Sequence, residues 1–169
     1  MKHIIINGSG TSGKDTFIKL FDELYPNTTH NVSSIDPIKD IAYIGGWSGE
    51  KTEESRKLLS DLKKLFIEYN DLPTIFLCDY CDNLKKRDDY NYSTVFMHVR
   101  EPDEIYKLKL MFNLEDIEVI TLLVDKDVGK LGNPSDDDVL DYKYDYYIDN
   151  NRTIEQLKEA VETFINEEF

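Results

Sequence analysis

A three-layer α/β domain built on a parallel sheet is the fold the sequence predicts, and three features predict it. Short apolar runs alternate with stretches of helical periodicity along the whole chain. Two of those runs, residues 94–99 and 118–124, are rich in β-branched residues and apolar almost throughout, as expected of parallel strands covered on both faces. A glycine-rich turn, Gly8 to Gly13, directly follows the first apolar run and directly precedes an amphipathic stretch.

Taken in order, His3 to Asn7 reads as a buried strand that ends at the glycine turn. From Lys14 to Leu24, Phe17, Ile18, Phe21 and Leu24 recur at helical spacing until Pro26 stops the helix. His30 to Ser33 is a short second strand, and Asp36-Pro37 has the form of an N-cap followed by proline at the first helical position. Gly45-Gly46-Trp47-Ser48-Gly49 breaks that helix. Thr52, with Glu53 and Glu54 at the positive end of the dipole, opens the next one, whose expected buried stripe is Leu58, Leu59, Leu62, Leu65, Phe66 and Tyr69.

Residues 73–87 fit either a strand ending at Asp79 or a helix with Phe76, Leu77, Tyr80, Cys81 and Leu84 on one face, and the helix is preferred. Thr94 to Val99 and Glu118 to Val124 are the next strands. Between them lies a helix that starts at Pro102 and buries Ile105, Leu108 and Met111. Tyr146 to Ile148 is the last strand. Thr153 and Gln156 then form a capping box ahead of Leu157, Val161, Phe164 and Ile165. No composition shift or repeat divides the 169 residues, so a single domain is expected.

The net charge of −14, from 34 acidic and 20 basic residues, disfavours nucleic acid and anionic membranes as partners. No apolar run approaches the length of a membrane span, and the N-terminal run is too short for a signal peptide, so a cytoplasmic protein is expected. Cys78 and Cys81 have the spacing of half a zinc site or a redox pair. With no second pair and His3, His30 and His98 far off in sequence, two reduced thiols are the preferred reading.

The chemistry is concentrated in Gly8-Ser9-Gly10-Thr11-Ser12-Gly13-Lys14. Glycines at these positions let the backbone turn tightly and aim N–H groups inward, while the helix that follows brings its positive dipole end to the same point. Lys14 adds a cation for phosphate. Ser or Thr usually follows that lysine, with its hydroxyl on magnesium; here Asp15 does, and Thr16 comes one position later. Asp15 is open to two readings, a magnesium-side group or a residue that only stabilises the helix dipole.

Gly13-Lys14-Asp15-Thr16 resembles the loop of the nucleoside monophosphate kinases, in particular the phage-type deoxynucleoside monophosphate kinases and the related animal phosphomevalonate kinases. Other segments carry the same resemblance in order. Ser34 to Lys39 is similar to the family segment beside the acceptor pocket, and Arg56 to an arginine that opens the acceptor-side helix. Val99-Arg100-Glu101-Pro102-Asp103-Glu104 resembles the family's Val-Arg-Phe-Pro-Asn-Glu at the end of the third strand, with His98 where the family has aspartate. Asn133-Pro134-Ser135-Asp136 resembles the lid, which here offers Lys126 and Lys130 in place of arginine, and Asp149 to Leu157 resembles the closing strand-to-helix segment.

The resemblance implies a P-loop NTPase fold with a five-stranded parallel sheet in the order 2-3-1-4-5, acceptor-side helices over about 36–90 and a lid over about 125–140. It implies a kinase that moves the γ-phosphoryl of ATP, with Mg2+, to a (deoxy)nucleoside monophosphate. Gly8 to Thr16 would bind the nucleotide, Asp15 and Thr16 the metal. Lys14, Arg100 and Arg56 would act in transfer, Arg56 by clamping the acceptor phosphate. A non-nucleotide acceptor, such as phosphomevalonate or dephospho-coenzyme A, and a nucleotide binder without transfer activity remain the alternatives. His98 and the arginine-poor lid favour the latter.

Overall fold

A computed structural model describes residues 1–26, 28–89, 91, 93–127 and 138–169. Five strands carry it: β1 (Lys2–Asn7), β2 (Thr28–Ser33), β3 (Ser93–His98), β4 (Val119–Asp125) and β5 (Tyr146–Asp149). They form one parallel sheet in the order β2-β3-β1-β4-β5, with Ile4 of the central strand paired to Phe96 on one side and Ile120 on the other. The helices are α1 (Lys14–Leu24), α2 (Asp36–Ile44), α3 (Glu53–Asn70), α4 (Leu72–Leu84), α5 (Pro102–Asn113) and α6 (Ile154–Glu168). The architecture is a three-layer α/β/α fold on a parallel sheet, as the alternating pattern predicts.

Two compact units are distinguished, residues 1–31 with 88–169, and residues 32–87. In the first unit, alternate residues of each strand point to opposite faces of the sheet. Ile4 and Ile6, Phe96, Leu122 and Ile148 face α1 and α6, where Phe17, Phe21, Val161 and Phe164 complete a continuous core. Edge-to-face contacts of Phe17 and Phe21 with Phe96 lock the packing of α1. Each fully buried side chain of this kind contributes roughly 1.5–3 kcal/mol. The other face is covered by α5, whose Phe112 ring lies 5.1 Å from the ring of His3.

Within the second unit, α2, α3 and α4 pack on one another. Thr52 caps α3 by accepting the N–H of Ser55 at 3.1 Å, and the Trp47 indole donates to the Ser55 hydroxyl at 2.9 Å. The segment left open between strand and helix is helical: α4 carries both cysteines, and burial pushes the Cys81 thiol up to about 12.

Three local expectations are corrected. On α3, Leu59, Leu62 and Phe66 are half-buried and Lys63 is buried, whereas Leu58, Leu65 and Tyr69 stand 43%, 57% and 80% exposed. The exposed three lie roughly a quarter-turn round the helix from the buried face, so the leucine-rich sequence is wider than the surface it covers. On α5, Phe112 rather than Met111 is buried. Steps of three residues fall behind the helical turn by about 60° each, and a step of four restores the face. At α2, Asp36 is the first helical residue rather than the cap, and its carboxylate reaches back to accept the Ser33 N–H at 2.8 Å.

Candidate nucleotide-binding site

The site is built at the carboxyl end of β1, where the chain reverses into α1 with no room for a side chain at Gly8. Gly8 has φ 147° and Gly13 has φ 102°, both in the region that L side chains avoid. A Cβ on Gly8 would stand 2.4 Å from the Val124 carbonyl and 2.4 Å from Ser12 Oγ. A Cβ on Gly13 would meet Asn150 Nδ2 at 2.2 Å. Thr11, at φ 65°, is also left-handed and completes the turn, and the Ser12 N–H closes it on the Ser9 carbonyl at 3.1 Å. Backbone conformation favours glycine at both ends of the loop, and close approach to the Val124 carbonyl adds to that at Gly8.

Lys14, the first residue of α1, folds its ammonium over the loop and donates to the carbonyls of Gly8 and Ser9 at 2.6 and 3.0 Å. The first turn of α1 gains no side-chain cap from Gly13. Its leading N–H groups therefore face the loop, the arrangement that favours an anion. The Ser12 hydroxyl is fully buried and has no hydrogen-bond partner among the described residues, a polar atom whose cost a ligand oxygen would relieve. Positive-φ glycines, an uncapped helix start, a lysine and an unsatisfied hydroxyl together fit a nucleotide's phosphates. Asp15 and Thr16 are exposed on the first turn of α1, and their carboxylate and hydroxyl oxygens suit a hard cation such as magnesium.

Neighbouring segments brace the loop. The Gly8 N–H donates to Asn7 Oδ1 at 2.7 Å, and Asn7 Nδ2 donates to the Arg100 carbonyl at 2.9 Å. The Asn150 amide donates to the Ser12 carbonyl at 2.7 Å, while its backbone N–H holds the Asp125 carbonyl at 2.7 Å. Asn151 links the same two strand ends: its Oδ1 accepts the Asp127 N–H, and its own N–H and amide donate to Asp149. Those bonds from Asn151 hold the Asp149 carboxyl below its ordinary range.

Of the residues singled out from sequence, Gly8 to Thr16 and Arg100 belong to the first unit, and the Asn7 bonds tie the Arg100 backbone to the loop. Arg100 lies two residues beyond β3 and is half-buried. His98 ends β3, and its Nε2 lies 2.7 Å from the Asn31 amide oxygen, which sets Nε2 as the donor. Lys126 is exposed just past β4. Arg56 is exposed on α3 in the second unit. Lys130 and the segment Asn133 to Asp136 lie outside the described residues. No group of three or more metal-ligating side chains occurs among the described residues, and none of their helices is long and apolar enough to cross a membrane. Asn7, Tyr144 and the loop-bracing role of Asn150 were missed by sequence reading. Only the placement of a polar Asn7 at the end of an apolar strand run signalled anything.

No known protein family profile matches the chain, and no curated protein matches it in sequence. Solved structures do match. A sugar kinase from a Janibacter species aligns over 98% of this chain and 95% of its own, with 16% identity and a TM-score of 0.51. The APS kinase CysC of Mycobacterium tuberculosis, solved with AMPPNP and APS, aligns over 98% and 97%, with 10% identity and a TM-score of 0.50. The likeness is one of fold: this chain shares the architecture of P-loop kinases.

Proposed function

We propose that this protein is an ATP-dependent small-molecule kinase that transfers the γ-phosphoryl of Mg-ATP to a (deoxy)nucleoside monophosphate. The observation that carries this reading is the loop itself. Gly8 and Gly13 adopt conformations that L side chains rarely take, and Lys14 sits at the start of an uncapped helix. In this reading the loop N–H groups and Lys14 hold the donor phosphates, and Lys14 exchanges its two carbonyl partners for phosphate oxygens.

Asp15 and Thr16 would hold magnesium, which would supply charge neutralisation at the phosphates. Arg100 neutralises charge between donor and acceptor, Arg56 orients the acceptor phosphate, and Lys126 or Lys130 contributes from the lid. Phosphoryl transfer asks little covalent chemistry of the protein, so positioning and electrostatics account for these roles. The net charge of −14 leaves the phosphate site dependent on these few cations.

A second reading keeps the donor and changes the acceptor. Proteins named as a sugar kinase and an APS kinase share this fold, so the fold admits acceptors other than nucleoside monophosphates. An ADP-release screen with Mg-ATP against nucleoside and deoxynucleoside monophosphates tests the first reading. Turnover with one of them supports it. ADP release only with a non-nucleotide acceptor transfers support to the second. Tight ATP binding without ADP release from any acceptor would make the protein a binder and overturn both.

A further inference from the structure

Asn7 is fully buried at the last position of β1, and every arm of its carboxamide is committed. Oδ1 accepts the Gly8 N–H at 2.7 Å. Nδ2 donates twice, to the Arg100 carbonyl at 2.9 Å and to the Tyr144 hydroxyl at 2.6 Å. The orientation of the amide follows from chemistry: a backbone N–H can meet only its oxygen, and a backbone carbonyl only its nitrogen. Tyr144 is equally committed. Its hydroxyl accepts from Asn7 and donates to the Val139 carbonyl at 2.8 Å, and burial pushes its ionisation well up, so it stays a donor.

One side chain therefore joins three segments far apart in sequence: the phosphate loop, the Arg100 turn 93 residues on, and the Tyr144 segment 137 residues on. We propose that Asn7 is a positioning residue that fixes the Arg100 turn and the Val139 turn relative to the loop, so that nucleotide binding at the loop is transmitted to both. This inference rests on the reading of Gly8 to Gly13 as a phosphate loop.

The physical basis is the cost of breaking any one arm. Displacing Gly8 from Asn7 Oδ1 would leave buried polar groups unpaired, so moving one segment alone carries a cost that moving all three together avoids. A ligand that rigidifies the loop then also rigidifies the turns tied to it.

Backbone hydrogen exchange on the full chain, with and without saturating Mg-ATP, tests this. In the wild type, Mg-ATP slows exchange at residues 99–101 and 139–144 by at least about threefold. Asn7→Asp keeps the acceptor for Gly8 but replaces the donating nitrogen, and the slowing at both segments is lost. Tyr144→Phe conserves volume and cuts only one arm, so the slowing is lost at 139–144 and retained at 99–101. If both variants exchange faster in the free and bound states alike, with the ATP-dependent ratio unchanged, Asn7 is a purely structural brace and the inference fails. Should Asn7→Asp not fold, Tyr144→Phe alone decides between these outcomes. If the wild type does not bind Mg-ATP at all, the phosphate-loop reading falls and takes the inference with it.

Discussion

Alanine at Gly8 and at Gly13 should destabilise the protein unequally, and the structure says which is worse. Both positions have positive φ, so each substitution carries backbone strain of about 1–3 kcal/mol. The difference lies in what the new methyl meets. At Gly13 the nearest atom is the amide tip of Asn150, at 2.2 Å, with its Cγ at 3.4 Å. That side chain can swing away, at the loss of its hydrogen bond to the Ser12 carbonyl, worth roughly 1 kcal/mol. The total for Gly13→Ala is about 2–4 kcal/mol.

At Gly8 the methyl meets the backbone carbonyl of Val124 at 2.4 Å, as well as Ser12 Oγ. Val124 belongs to β4, which is hydrogen-bonded to both β1 and β5 and cannot retreat locally. Overpacking of this kind adds about 1–3 kcal/mol, which brings Gly8→Ala to roughly 2–6 kcal/mol, a large part of a typical domain's stability. Urea unfolding followed by circular dichroism gives both values under one protocol. A Gly8→Ala protein as stable as the wild type, or more stable than Gly13→Ala, would refute the reasoning from close approach.

Other consequences are equally direct. If Asp15 helps hold magnesium, Asp15→Asn raises the magnesium concentration needed for half-maximal activity; an unmoved profile leaves Asp15 as a dipole-stabilising residue worth under about 1 kcal/mol. Arg100→Lys keeps the charge and loses the planar fork, so kcat falls at least about tenfold, or roughly 1.4 kcal/mol of barrier, with ATP binding little changed. Normal turnover in that variant makes Arg100 structural. With its thiol pushed up to about 12 by burial, Cys81 should resist alkylation in the native protein at pH 8, while the half-buried Cys78 reacts first. Because folding raises the thiol's pKa, its contribution to stability is present below the ordinary thiol range near pH 8.5 and is lost as pH climbs towards about 12, a loss that an alkaline unfolding series of wild type against Cys81→Ala would detect.

Much of the fold was legible because its signals are local. Apolar runs, the glycine turn and the Thr153 capping box each lie within a few residues and report their own conformation. The sheet order was not available that way; it came from resemblance to a kinase family. The helix faces were read less well. Leu58, Leu65 and Tyr69 satisfy a helical period, but how far a helix is covered depends on its neighbours, which periodicity does not report. The strand-or-helix ambiguity at residues 73–87 arose because a continuous apolar run suits both forms.

The site divides in the same way. Gly8 to Lys14 are contiguous, and their chemistry follows from their order. Asn7 and Tyr144 gain meaning only from a meeting across 137 residues. Nothing in the local sequence distinguishes Tyr144 among the neighbouring tyrosines at 142, 146 and 147. Asn150 is similar, since its amide matters only because Gly13 leaves space beside it.

Lys14 is the residue through which this loop is proposed to bind the phosphates of ATP, and calorimetric titration of Mg-ATP into wild type and Lys14→Ala is the decisive experiment. In the free protein the ammonium already bonds to the Gly8 and Ser9 carbonyls, so what it gains from phosphate is a net exchange of partners. A charge-assisted bond is still worth about 1.5–3 kcal/mol, or roughly tenfold to a hundredfold in affinity. Saturable binding by the wild type is expected, weakened by at least about tenfold in Lys14→Ala with the fold intact. Equal affinity in the two proteins, or no binding by the wild type, would contradict it.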